Sequence, residues 1–168
     1  MIFMSQSGLT DVTREHEWDS WYFEHLGIMR TVVGFDSAQR FKLLEGDNSP
    51  SLAMYSVASP EVFRDPHYLS VRGMGEWMPL IDQRYYRRNL FAGVDHAPVV
   101  GDSQLLLVAD RNEPDPDLDG STWIWLEAVA IDRSTPWRGI AVADRGAVPE
   151  LRGKRVDVYC PVPDPRPK

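Results

Sequence analysis

Two neighbouring stretches decide the predicted fold: Trp-Tyr-Phe-Glu-His at residues 21–25 and Gly-Phe-Asp-Ser-Ala-Gln-Arg-Phe at residues 34–41. The first stretch places an imidazole, that of His25, on the apolar face of a helix. The second is typical of a turn glycine, Gly34, that opens a strand. Together they predict a sheet and a helix that enclose a pocket with a histidine in it.

The helix is predicted over residues 14–30. Asp11 and Thr13 precede it as candidate N-caps, since their side-chain oxygens can accept hydrogen bonds from the free N–H groups of a first turn. Side chains then recur at i, i+3, i+4, i+7 and i+11, which is one face at about 100° per residue. That face carries Trp18, Trp21, Tyr22, His25 and Met29. We therefore expect the helix to pack through its aromatic side, with His25 in the middle of it.

Residues 1–93 are predicted to form one complete βαββαβ unit, the ferredoxin-like plait. Turn formers at residues 45–50 join two strands as a hairpin, and Ser59-Pro60-Glu61 starts a second helix. The predicted elements are a strand at 1–5, the first helix, strands at 35–44 and 52–57, the second helix with a break at Pro66, and a closing strand at 82–92.

A linker at residues 94–103 is predicted to lead into a truncated second copy of this α+β unit at 104–168. At a constant offset of 105 residues, Trp18 matches Trp123, Gly34 matches Gly139, Ala38 matches Ala143 and Arg40 matches Arg145. The predicted elements are strands at 104–109, 139–144 and 156–162 and a helix at 121–132, so this copy stops after its third strand. Ala130 stands where the first copy has His25, and catalysis is therefore expected in the first copy alone.

The composition is that of a folded domain without a nucleic-acid-binding face. The chain has 168 residues and a formal net charge of −7 at pH 7. Its basic cluster, Arg84, Arg87 and Arg88, is interpreted as a solvated strand face. No apolar stretch is long enough to cross a bilayer, and the N-terminus lacks a signal-peptide pattern. With Cys160 as its single cysteine, the chain is predicted to be cytoplasmic and to bind neither nucleic acid nor a membrane.

Residues 13–92 resemble the dimeric α+β barrel superfamily, in particular its EthD-like branch. The matching pieces are Trp21-Tyr22-x-x-His25, Gly34-Phe35-x-x-Ala38-x-Arg40-Phe41, the strand at 52–57, and Ser59-Pro60-Glu61-Val62 with Tyr68 nearby. The resemblance implies two ferredoxin-like sheets packed face to face, with a small, mostly apolar molecule between each sheet and its helices. The superfamily includes cofactor-free monooxygenases, isomerases, cyclases, dehydratases, decarboxylases and haem-degrading enzymes. Where many members have a proline after the helix histidine, this chain has Leu26-Gly27-Ile28.

His25 is the candidate general acid–base, because a neutral imidazole in an apolar pocket can take a proton from an activated carbon or phenol and return it elsewhere. Tyr22 lies on the same face, where its hydroxyl could orient a substrate oxygen. The alternative for His25 is a core histidine hydrogen-bonded to a backbone carbonyl or a nearby acid, and the family resemblance favours the functional interpretation. Further residues are predicted to bind the substrate: Trp18, Trp21, Tyr55, His67 and Tyr68.

Other side chains are assigned no chemistry. Arg40 is given a structural role such as a salt bridge, because Arg145 matches it in the second copy. The histidines are scattered without an i+4 pair, and the chain has neither a glycine-rich phosphate loop nor a nucleophile elbow. No metal and no cofactor is therefore predicted.

These residues predict a cofactor-independent enzyme that performs acid–base chemistry on a small aromatic or other ring-containing metabolite, as a lyase, dehydratase, cyclase or isomerase. Two alternatives stay open: a cofactor-free monooxygenase of phenols, and a non-catalytic small-molecule-binding or assembly module. A homodimer is also expected, since a truncated second copy would leave sheet surface for a partner to cover.

Overall fold

The structure is a computed structural model that describes residues 1–118, 121–147, 151 and 153–163. Residues 164–168, the end of the predicted second unit, lie outside the described residues. The helices and strands are β1 (Ile2–Ser7), α1 (Glu15–Met29), β2 (Phe35–Glu45), β3 (Ser51–Val57), α2 (Pro66–Val71), β4 (Arg87–Ala92), β5 (Gln104–Arg111), β6 (Ile124–Ile131), β7 (Trp137–Asp144) and β8 (Asp157–Pro161). Short 3₁₀ turns lie at Val12–Arg14, Pro60–Arg64, Gly75–Leu80 and Arg145–Ala147.

The described residues form eight strands that close into one antiparallel barrel. Their order is β1-β3-β2-β8-β5-β7-β6-β4, and β4 pairs back onto β1. The predicted ferredoxin-like α+β fold with a truncated second copy is therefore wrong. The dimeric α+β barrel is wrong as well, because a single chain closes its own sheet and carries few helices.

This correction depends on residues 121–132, which were expected to be a helix and which contain β6. Leu126 and Ala128 point into the barrel, whereas Trp125, which precedes Leu126, packs on its outer side. Such alternation has the period of a strand, and Trp and Ile are residue types that strands favour. β6 pairs with β7 on one side and with β4 on the other, so it is the strand that closes the ring.

The offset of 105 residues does not describe how the two halves correspond. Gly34 precedes β2 at φ +92°, in a conformation that favours glycine, whereas Gly139 lies inside β7. Around the ring, β4-β1-β3-β2 is followed by β8-β5-β7-β6. If the two sets of four strands are compared in this order, β2 corresponds to β6 and not to β7, which contains Gly139. The second set therefore has all four strands.

Several local predictions in the first half are confirmed. The helix at 14–30 is α1, and the hairpin of β2 and β3 pairs in antiparallel register. Pro66 separates the turn at Pro60–Arg64 from α2, as expected of a residue that cannot continue a helix. The closing strand is shorter than predicted, because β4 begins only at Arg87.

The strands of the first half are buried on both faces, and β1 and β3 are buried along their whole length. Ile2 and Met4 point into the barrel, where they pack with Phe41, Phe91 and other apolar side chains. The alternate residues of these strands point outward beneath α1. Phe3 is one of them, and it belongs to a second apolar cluster that lies between the outer face of the sheet and the helices. The barrel interior is packed with side chains, and the space beside His25 lies on the outer face, beneath the helices.

The predicted linker at 94–103 packs over one end of the barrel. Val100 belongs to the interior cluster. The Gln39 amide holds its backbone by donating to the Val100 carbonyl at 2.6 Å and accepting from the Val100 N–H at 3.1 Å. The Ala97 N–H donates to Ser56 Oγ at 2.9 Å. This segment therefore closes the barrel end at which β3 finishes.

Arg40 anchors α1 on the barrel. From β2, its guanidinium donates to Asp19 Oδ1 on α1 at 2.7 Å and to Ser51 Oγ on β3 at 3.0 Å. The same group lies 4.4 Å from the ring centroid of Trp18 and 4.5 Å from that of Tyr22. The salt-bridge role predicted for Arg40 is confirmed.

We expect Asp19→Asn to lower the free energy of unfolding by about 3 kcal/mol, because the Arg40 side chain, 2% exposed, would lose the partner of its charge. Glu17→Gln is the matched control on the same helix, since it removes an exposed pair with Arg14 that is worth about 0–1 kcal/mol. Urea unfolding of both variants measures the difference. Equal losses would contradict the anchoring role.

Candidate functional site

A small cavity of about 30 Å³ lies between α1, the chain after α2 and the outer face of β1, β3 and β4. Strand alternation supplies its floor, which contains Phe3 and Ser5 from β1, Tyr55 from β3 and Arg88 from β4. Ser5 and Arg88 are direct partners in the antiparallel register of β1 and β4, so they meet on the same face.

The roof of the cavity comes from the helical side. Tyr22, His25 and Met29 follow one another on the inner face of α1, and Tyr68 projects from α2. Asp65 caps α2 by accepting hydrogen bonds from the backbone N–H of Tyr68 at 3.1 Å. Arg72, Gly73 and Met74 close the side between α2 and the next turn, and Tyr86 completes the lining near Arg88.

His25 borders this cavity with its ring held by aromatic neighbours. It is 9% exposed, and its imidazole stacks on Trp21 with 4.8 Å between ring centroids and 10° between planes. The Tyr22 ring meets it edge-on at 6.0 Å. Among the residues that the structure describes, no group forms a hydrogen bond with the His25 ring. The alternative of a core histidine satisfied by a carbonyl or an acid therefore finds no partner in the described structure.

Burial lowers the pKa of His25 from its usual 6.5 to about 4, since an imidazolium loses hydration there. The side chain is therefore neutral at pH 7. A neutral imidazole with a free ring nitrogen can accept a proton from a bound molecule, which is the first requirement of a general base.

Two tyrosine hydroxyls beside His25 remain protonated. Burial raises the pKa of Tyr22, while the Arg40 charge and a hydrogen bond with Ser5 oppose that rise. Burial also raises the pKa of Tyr55 well above 10, and the adjoining Tyr22 hydroxyl raises it further. Because Tyr55 donates its hydrogen bond to the Tyr22 hydroxyl, the Tyr22 proton is the one that can be donated to an oxygen on which negative charge develops.

Tyr68 adds a third tyrosine to the lining of the cavity. Burial raises its pKa, and the positive charges of Arg88 and Arg72 oppose the rise. Its ring stacks on Phe35 at 5.9 Å. The hydroxyl thus lies in the field of two guanidinium groups at one side of the cavity.

Three of the predicted site residues lie outside the lining. Trp18 is fully buried behind Tyr22, where it packs against Arg40. Trp21 touches the site through its stack on His25 and supports that ring from behind. His67 is exposed on α2, with Nε2 2.7 Å from Thr31 Oγ1. The structure therefore brings together His25, Tyr22, Tyr55 and Tyr68, and separates the other three from the cavity.

Eight lining residues were not predicted as site residues, and the two charged ones among them are arginines. Arg88 was interpreted with Arg84 and Arg87 as part of a solvated face, but its Nε atom is buried. Arg72 follows the short helix α2. Side chains two positions apart on a strand share a face, and Leu90 packs on the helix-facing side of the sheet. The same alternation places Arg88 on that side and could have identified it. Arg72 carries no such local pattern.

Comparisons with known proteins give no family for this chain: no protein-family model and no curated protein matches it. None of the described helices is long and apolar enough to cross a membrane. Within the same described residues, no group of three or more His, Cys, Asp or Glu side chains is placed to hold a metal ion.

The depressed pKa of His25 makes the stability of the fold depend on pH. The unfolded chain binds a proton near pH 6.5 and the folded chain only near pH 4, so stability is complete above 6.5 and falls as pH drops toward 4. The loss across this window is about 3 kcal/mol. We expect His25→Gln to remove this contribution, measured as the difference between the two proteins in urea unfolding at pH 7 and pH 4.5.

His16→Gln is the control for this measurement, because His16 is an exposed histidine on the same helix. It is expected to keep the pH dependence of the unsubstituted protein. An unchanged pH dependence in His25→Gln would show that His25 titrates normally and is not desolvated.

Proposed function

We propose that this protein is a cofactor-independent enzyme that performs proton-transfer chemistry on a small aromatic or other ring-containing metabolite in the His25 cavity. The reaction class is that of a lyase, dehydratase, cyclase or isomerase. The observation that carries the proposal is a neutral imidazole without a hydrogen-bond partner among the described residues, facing a cavity that also holds tyrosine hydroxyls. The His25 ring nitrogens are not among the fully buried polar atoms that lack a partner, so solvent or a ligand can reach the imidazole.

The chemistry assigns a role to each group. His25 takes a proton from an activated carbon or hydroxyl of the substrate and returns it at another atom. Tyr22 donates a hydrogen bond to the substrate oxygen that becomes negatively charged, and Tyr55 supports Tyr22 by donating to its hydroxyl. A histidine with a pKa of about 4 is a weak base in the free protein. The substrate anion formed beside it would stabilise the imidazolium, which raises its basicity as the proton moves.

A ring requires more space than the cavity has in this structure. About 30 Å³ holds a single water molecule. Arg72, Gly73 and Met74 form the side that must move, since they connect α2 to the turn at Gly75–Leu80. Gly73 has φ +95° and Gly75 has φ +49°, and Gly73 has no neighbour within reach of an added Cβ. We therefore place the opening at this segment.

Solvent deuterium exchange tests the proposal without knowledge of the product. The protein is incubated in D₂O with a panel of small cyclic ketones and hydroxyaromatic compounds, and deuterium incorporation is followed by mass spectrometry. We expect catalysed exchange with at least one class of compound and a loss of about 10²- to 10⁴-fold in His25→Gln. Tyr22→Phe should lose about 10²-fold, because it removes a donor to the developing anion.

His16→Gln serves again as the matched control and is expected to exchange at the unsubstituted rate. Exchange that survives in His25→Gln would contradict the role of His25. Binding of a panel compound in the cavity without exchange in any protein would instead favour the non-catalytic binding module that the sequence left open.

The homodimer and the cytoplasmic location expected from the sequence stay predictions. The dimer was argued from an unpaired sheet, but β2 pairs with β8 and β4 pairs with β6, so these edges are satisfied within one chain. Sedimentation analysis of the purified protein measures the mass directly. A dimeric mass would require a contact other than sheet edges, and a monomeric mass would contradict the dimer.

A further inference from the structure

The two arginines of the cavity indicate which group the bound molecule carries. Arg88 lies on β4, and Arg72 follows α2. We propose that the ligand of the His25 cavity is a ring compound with a carboxylate, which Arg88 and Arg72 bind while the ring lies among the tyrosines. The inference rests on the proposed function, since it assigns a substrate class to the same cavity.

Arg88 has hydrogen-bond donors that the protein does not use. Its Nε atom is buried and has no partner among the described residues. Its Nη2 atom is 3.7 Å from Asp132 Oδ1, which is at the outer limit of an ion pair. The planar edge formed by the nitrogens of a guanidinium matches the two oxygens of a carboxylate. An unsatisfied buried donor is costly, so a ligand that accepts from it gains affinity.

Two buried arginines in the described chain show how a buried guanidinium nitrogen is normally satisfied. Arg138, inside the barrel, donates to both carboxylate oxygens of Asp110 at 2.7 and 2.8 Å. Arg40 is paired with Asp19 at 2.7 Å. Arg88 lacks a comparable close carboxylate, and this difference argues that its partner is brought by the ligand.

The charge of the cavity is opposite to that of the whole chain. The formal net charge of the protein is −7. Arg72 and Arg88 line the cavity, and none of the described lining residues is an Asp or a Glu. The exposed Arg72 side chain forms no hydrogen bond or ion pair within the described structure. A local concentration of positive charge in an acidic protein attracts an anion and excludes a cation.

The carboxylate also suits the chemistry proposed for His25. Its charge beside the imidazole favours the imidazolium, so binding strengthens the base where the proton is taken. Arg88, on a strand, would fix the position of the ligand carboxylate relative to the reacting atom of the ligand. The ligand ring would be oriented between Phe3 and the tyrosines.

Binding of matched carboxylates and amides tests the inference. The probes are benzoate, 4-hydroxybenzoate and cyclohexanecarboxylate, each compared with its amide by NMR titration of the full chain at 50 and 300 mM salt. We expect the carboxylates to bind at least about 10-fold more tightly than their amides, with weaker binding at high salt. If no carboxylate binds, or if the amides bind equally well, the inference is overturned.

Variants then assign the contact. Arg88→Gln should weaken carboxylate binding by about 10- to 100-fold and leave amide binding unchanged. Arg72→Gln, at an exposed position that tolerates substitution, should weaken it by about 3-fold. Arg87→Gln is the control, since Arg87 is the exposed neighbour on the same strand and lies outside the cavity. Equal binding by all variants would contradict the assignment.

The test is independent of turnover. Tight carboxylate binding without deuterium exchange would support the anion site and contradict the enzyme. Exchange on neutral compounds without any preference for carboxylates would support the enzyme and contradict the anion site.

Discussion

A buried guanidinium sets the position of the helix on which the candidate site depends. Arg40 lies beneath the rings of Trp18 and Tyr22, and its charge is paired with Asp19 of the same helix. Because an uncompensated charge at this depth is strongly destabilising, α1 can adopt only the rotation that keeps these contacts. Tyr22 follows Asp19 by three positions and His25 follows Tyr22 by three more, so the same rotation brings both side chains over the outer face of β1 and β3. The ion pair between Arg40 and Asp19, six positions before His25 on α1, therefore helps to set the position of His25.

The charges that line the cavity agree with the proposed proton acceptor and the proposed anionic ligand. Burial alone keeps His25 neutral, and burial keeps Tyr22 and Tyr55 protonated. The unbalanced charge is positive and stands at the side, on Arg72 and Arg88. The site contains a hydrogen-bond donor without an acceptor, Arg88 Nε, and a neutral base, His25. A ring carboxylate satisfies these groups together, which is why the proposed chemistry and the proposed ligand class support each other.

The sequence predicts what is local and fails where distant segments meet. α1, the hairpin of β2 and β3, and the break at Pro66 carry their own signals, and the face with Tyr22 and His25 follows from helical periodicity. Residues 124–131 mislead because a short apolar run does not distinguish a buried helix from a strand. Closure of the barrel requires β6 to meet β4 and β8 to meet β2, and no local pattern specifies those pairings. Arg88 was missed for a related reason, since its position opposite Ser5 depends on the register between β1 and β4.

The described residues of the second half form no α-helix over the sheet, and this explains the asymmetry between the two halves better than the loss of one histidine. Ala130, which the offset aligned with His25, lies on β6 and packs against the first-half core. Outside β5 and β7, strand and loop side chains provide the cover that α1 provides elsewhere. Gly139 makes this possible: an added Cβ there would lie 2.9 to 3.0 Å from the rings of Trp123 and Trp125, so the indoles rest directly on the β7 backbone. With indole rings in direct contact with the sheet, that face has no helix-roofed space among the described residues. The cavity on which the proposed chemistry depends therefore lies in the first half, where α1 and α2 cover the strands.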